Sequence, residues 1–157
     1  MNQNLANTRV IGLPSRWIYL TTTFFLVLSG FGQMPIFKRY YIANIPGLGW
    51  LAEFFVTHYI HYLGAIVFLA LTAFLIADYW MLKHNSRRLT ASGYVRIALL
   101  TGILISGALL VIRNLAGTNF APELIIFLDL IHLGLVMMFL FVSLYCLFFK
   151  KHWTTER

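Results

Sequence analysis

Four long apolar stretches, at residues 17–37, 54–77, 97–112 and 124–149, constrain this chain more than any other feature it has. A helix needs about 20 apolar residues, at ~1.5 Å of rise each, to cross the ~30 Å hydrocarbon core of a bilayer. The first two stretches carry no charged residue, and the fourth is interrupted once, by Asp129. The third is shorter, but Arg96 and Arg113 flank it, and long basic side chains can snorkel to the interfaces. With 60% of the residues apolar and only 11% charged, a soluble domain of this length would expose too much apolar surface, so lipid is the natural solvent. The first stretch is too long for the apolar core of a secretory signal, follows a polar leader and ends without a small-x-small cleavage motif. It reads as a retained helix.

The expected fold is therefore an all-α integral membrane protein, one domain over residues 1–157. Its helices fall at roughly 16–37, 51–82, 94–113 and 123–150. Short connections force antiparallel neighbours, which gives an up-down four-helix transmembrane bundle. Nine basic residues fall on one side: Arg9, Arg16, Lys83, Arg87, Arg88, Arg96, Lys150, Lys151 and Arg157. Three fall on the other: Lys38, Arg39 and Arg113. The bias places both termini in the cytoplasm. A net charge of +7 dispersed between apolar runs argues against a nucleic-acid partner, which would need a continuous basic stripe. Pro14 lies just ahead of the first helix and Pro122 is well placed to start the fourth. The 1–2 connection, roughly residues 32–50, reads as an ordered interfacial loop and a docking surface for an outside partner. Tyr40, Tyr41, Tyr79, Trp80 and Trp153 suit aromatic belts. No internal repeat is evident, and the single Cys146 reads as a small apolar filler.

Ionisable groups inside a bilayer are costly and are functional suspects by default. His58 and His61 on helix 2 and His132 on helix 4 qualify, whereas His84 and His152 fall just past the ends of those helices. If helix 2 enters at Leu51 and helix 4 at Glu123, His61 and His132 lie ~15 Å and ~14 Å along their axes, at matched depth. A b-type haem needs two neutral imidazoles on opposite faces of its iron, and this pair is placed to supply them. Gly64 and Gly134 would leave room for a flat ring, or simply let helices approach. His58, one turn nearer the outside, is a candidate for the axial ligand in place of His61, for a propionate contact, or for a quinone head group such as menaquinone or ubiquinone. The plainer reading of each histidine is an interhelical hydrogen bond. Asp129 either pairs with Arg113 or accepts a proton during quinol chemistry.

Some of these residues also carry a family likeness. His61-Tyr-Leu-Gly-Ala, an apolar run, then Ala77-Asp-Tyr-Trp and His84-Asn85, resembles the second helix of formate dehydrogenase gamma subunits. Those belong to the cytochrome b superfamily that also serves nickel-iron hydrogenases. Arg16-Trp17, an apolar run and Leu28-Ser-Gly-Phe31 resemble that family's first helix. The resemblance implies an outer haem held by His61 and His132. It also implies an inner haem on a helix 1 histidine and a second helix 4 histidine. This chain lacks both, having no histidine before His58 and Cys146 at the helix 4 position, so one haem b on the outer side is expected. The function implied is a non-catalytic electron-transfer subunit of a respiratory oxidoreductase in the bacterial inner membrane. It would exchange electrons between a periplasmic redox partner, an iron–sulfur protein or multihaem cytochrome, and the quinone pool. The alternatives are a cofactor-free anchor or assembly subunit and, with less to support it, a small transporter or channel.

Overall fold

The computed structural model describes residues 13–34 and 42–156. Four helices dominate it: α1 (Leu13–Gly32), α2 (Phe54–Asp78), α3 (Ala91–Ile112) and α4 (Pro122–Phe148). Three are long and apolar enough to cross a membrane: α2 with its continuation to Lys83, α3 and α4, with mean hydropathies of 2.2, 2.3 and 2.6. Their surfaces suit lipid, since side chains such as Phe55, Ile66, Phe141 and Leu147 stand exposed.

The chain divides into two compact units, one up to Lys83 and one from His84 onward. Each is an antiparallel helical hairpin. In the first, α1 packs on α2 through a ladder of facing residues: Tyr19 with Phe68, Leu26 with Gly64, Ser29 with His61, and Gly32 with Thr57 and Leu51. The glycines make the approach close. A Cβ on Gly64 would stand 3.1 Å from Leu26, and one on Gly32 2.9 Å from Leu51. Small residues let van der Waals packing hold helices where lipid removes the hydrophobic drive. In the second hairpin the small residue sits on the other helix, with Gly102 of α3 meeting Leu135 of α4.

The helix ends differ from the sequence expectation, each for a local reason. α1 begins at Leu13 rather than at 16, taking Pro14 into a first turn where a missing N–H costs nothing. It stops at Gly32, and residues 35–37, which were expected to continue it, lie outside the described residues. So do Arg9, Lys38, Arg39, Tyr40, Tyr41 and Arg157. α2 begins at Phe54 instead of 51, because Gly49–Ala52 forms a 3-10 turn that buries Leu51 beneath Gly32. Within the described part of the 1–2 connection another 3-10 turn forms at Ile42–Asn44. α2 passes into a π turn, Tyr79–Lys83, whose five-residue spacing sets Lys83 against Asp78 as an ion pair. α3 begins at Ala91 rather than 94, where Thr90 caps it by accepting from the Gly93 amide at 3.0 Å. α4 starts at Pro122 and ends at Phe148, short of the expected 150, because Lys150 adopts a left-handed conformation (φ 51°). The Lys151 and Lys150 amides then donate back to the Cys146 and Leu147 carbonyls, at 2.8 and 3.3 Å, in a Schellman closure.

Past that closure the chain turns back along α3. β2 (Thr154–Glu156) pairs antiparallel with β1 (Arg87–Leu89), a ribbon unforeseen in a loop that reads from sequence as a short basic turn. Arg96 was expected to snorkel. It is instead 5% exposed, stacked over the Trp153 ring at 4.1 Å and donating to the Ser92 and Lys151 carbonyls. The returning segment covers it, so Trp153 serves as its lid.

Candidate functional site

Each hairpin carries one histidine fixed in the same way. His61 faces α1, and its Nδ1 lies 3.1 Å from the Oγ of Ser29, which is fully buried. His132 faces α3, and its Nδ1 lies 2.8 Å from the Oγ of Ser106, 4% exposed. The residue after each serine is a glycine. A Cβ on Gly30 would stand 3.4 Å from His61 Cε1, and one on Gly107 would stand 3.2 Å from His132 Cε1. The absent side chain lets the imidazole lie against the helix backbone while the neighbouring hydroxyl reaches its Nδ1.

The correspondence continues around the rings. Both serines also lie against carbonyls of the preceding turn, Ser29 against Phe25 and Ser106 against Gly102. One turn beyond each histidine comes the small-against-large contact, Gly64 with Leu26 and Leu135 with Gly102. The chain therefore contains an internal repeat, contrary to the sequence reading: a Ser-Gly pair on the first helix of each hairpin faces a histidine on the second. The repeat escapes notice because only three residues per hairpin carry it and the serine-to-histidine separation differs, 32 positions in one and 26 in the other.

The histidine stations are no longer equal when counted from the helix starts. His61 comes seven residues after Phe54 and His132 ten after Pro122, or ~10 and ~15 Å. The partner helices carry a similar offset, Ser29 lying three residues before the end of α1 and Ser106 six before the end of α3. The second hairpin is simply longer by about a turn at that end.

His58 has a different setting. Its Nδ1 donates to Gln33 Oε1 at 3.2 Å, its ring stacks on Phe54 at 5.2 Å, and Tyr62 tilts against it at 4.3 Å. It borders a shallow apolar hollow with Phe55, Tyr59 and Tyr62. His58 and His61 point to the same side, His61 to Ser29 of α1 and His58 to Gln33 just past its end, as their three-residue spacing predicts.

The remaining candidates resolve into structural roles. Arg113 holds both Asp129 oxygens, at 3.0 and 3.2 Å, which is the ion-pair alternative. Cys146 is buried with a free thiol. Gly64 serves helix contact, while nothing lies within 4 Å of a Cβ placed on Gly134. The carbonyl of His152 accepts from Thr90 and Ser92, tying down the returning segment. Among the described residues no three His, Cys, Asp or Glu side chains gather as a metal cage.

Ser29, Gly30, Ser106 and Gly107 are the site residues that sequence reasoning gave no role. The available signal was the recurrence of Ser-Gly deep in two otherwise apolar helices. Comparison with protein-family models, with characterised proteins and with solved structures finds no match to this chain.

Proposed function

We propose that this chain is a membrane-embedded haem b subunit of a multi-subunit respiratory oxidoreductase, carrying electrons between a periplasmic redox partner and the quinone pool. The observation that supports it is the repeated His–Ser pair. Two apolar hairpins each hold one imidazole whose Nδ1 is tied to a hydroxyl, so that Nε2 is the nitrogen a metal would use. Histidines that ligate iron are oriented in this manner, through a hydrogen bond on the other ring nitrogen. The donor set thus fits a b-type haem, with His61 and His132 as axial ligands and His58 as a contact at the outer edge for a propionate or quinone. Bound there, the haem would accept and release one electron at a time. The protein's share is to hold the imidazoles, keep water away with its apolar helices, and fix each ring by its serine.

In this reading α1 is a fourth span, the helices form an up-down bundle in the bacterial inner membrane, and both termini are cytoplasmic. A second reading, a cofactor-free anchor subunit of such a complex, draws on the same bonds. His61 and His132 each already satisfy one nitrogen across their own hairpin, as packing histidines do. Haem content separates the two. The chain expressed with ample haem should retain it through purification in near-equimolar amount, and His61→Ala or His132→Ala should each remove it. Wild-type protein that stays haem-free under these conditions would favour the anchor.

A further inference from the structure

The hydroxyl protons at the two stations can be accounted for one by one. A serine hydroxyl has a single proton. Ser29 Oγ lies 2.6 Å from the Phe25 carbonyl and 3.2 Å from that of Leu26. Ser106 Oγ lies 2.8 Å from the Gly102 carbonyl and 3.1 Å from that of Ile103. Carbonyl oxygens only accept, so the proton of each hydroxyl is spent on the helix backbone. If either serine gave its proton to the imidazole instead, two oxygen lone pairs would face each other at those distances in an apolar, buried setting, a costly arrangement. One assignment makes each of these serine contacts a hydrogen bond. The ring nitrogen donates, Nδ1–H to Oγ, at 3.1 Å in the first hairpin and 2.8 Å in the second.

We propose that Ser29 and Ser106 are positioning residues that set His61 and His132 in the Nδ1–H tautomer, so that each ring presents the Nε2 lone pair as its metal-binding atom. A ring in the other tautomer carries a proton on that nitrogen and must lose it before it can bind iron. The serines remove that step, and a hydrogen bond from Nδ1–H also makes Nε2 a better donor to a metal. Gly107 is part of the same device, because a Cβ there would stand 3.2 Å from Cε1 and press on the His132 ring, whereas one on Gly30 would meet His61 at 3.4 Å, the edge of ordinary contact. The value of this arrangement for iron rests on the haem reading above; the tautomer itself does not.

The test separates the two. The chain is labelled with 15N in its imidazole rings, prepared without haem, reconstituted in lipid nanodiscs, and its histidine resonances are assigned with His61→Gln and His132→Gln. Both rings are expected as Nδ1–H with unprotonated Nε2. Ser29→Ala should shift only His61, and Ser106→Ala only His132, toward the Nε2–H form, while Ser29→Thr and Ser106→Thr, which keep the hydroxyl, should not. Titrated with haemin, the Ala variants should bind it at least about tenfold more weakly than the Thr variants. Nε2–H rings in the wild type, or rings unmoved by the Ala substitutions, would overturn the serine assignment whatever haem does. Nδ1–H rings in a chain that never takes up haemin would uphold it and overturn the haem reading.

Discussion

A hydroxyl beside an imidazole changes what a half-buried histidine can do, and in the proposed reading Ser29 and Ser106 set the state of the two rings. Their energetic weight is modest. Interhelical polar bonds in membranes contribute roughly 0.6–2 kcal/mol, so Ser29→Ala and Ser106→Ala should each lower hairpin stability by about that much, read from unfolding in mixed micelles. The Arg113–Asp129 pair should matter less, since the Asp129 side chain is 52% exposed. Asp129→Asn should cost under about 1 kcal/mol and leave haem content intact. A large loss of quinol-linked electron transfer in that variant would restore Asp129 as a proton acceptor. The three membrane histidines were legible in the sequence because ionisable residues stand out against apolar neighbours. The serines were not: a serine within an apolar helix looks like any small packing residue until its partner ring is in place. Arg96 misled for the opposite reason. Its position at a helix end suggested a side chain reaching for water, and nothing nearby in the sequence announces that Trp153 folds back over it.

The helices were legible as elements because their apolar runs are long, and their ends were displaced by short features with weak signals. A four-residue 3-10 turn delayed α2, a threonine cap advanced α3, and a left-handed lysine cut α4 short. Lys150 makes a sharp prediction. Glycine adopts its φ of 51° without the Cβ conflict, so Lys150→Gly should stabilise the second hairpin by about 1 kcal/mol in thermal or chemical unfolding, and Lys150→Val should destabilise it. The ribbon of three residues against three lies below what periodicity can reveal. It depends on Gly93, where a Cβ would run into the backbone carbonyl of Trp153. A backbone oxygen cannot swing aside like a flexible side chain, so Gly93→Ala should detach residues 150–156 from α3. The Thr90 amide, which donates to Trp153 at 3.1 Å, should then lose its hydrogen-exchange protection. An unchanged Thr90 amide in that variant would show that the segment docks by other contacts.

At the scale of the molecule, two hairpins built alike each hold one histidine against a serine, and helices this apolar need lipid around them. The orientation proposed from basic residues is open to single-cysteine labelling in a Cys146→Ser background. Asn44→Cys and Asn119→Cys, in the loops after α1 and α3, should react with an impermeant maleimide added outside spheroplasts. Asn85→Cys should react only after lysis. Labelling in the reverse pattern would invert the topology and move the histidines toward the cytoplasmic side. The central claim, that His61 and His132 together ligate one haem b, is tested most directly by low-temperature electron paramagnetic resonance of the oxidised, purified chain. A low-spin ferric signal of bis-imidazole type is expected, and it should vanish in both His61→Ala and His132→Ala. A haem signal that survives either substitution, or haem-loaded protein that is high-spin only, would contradict it.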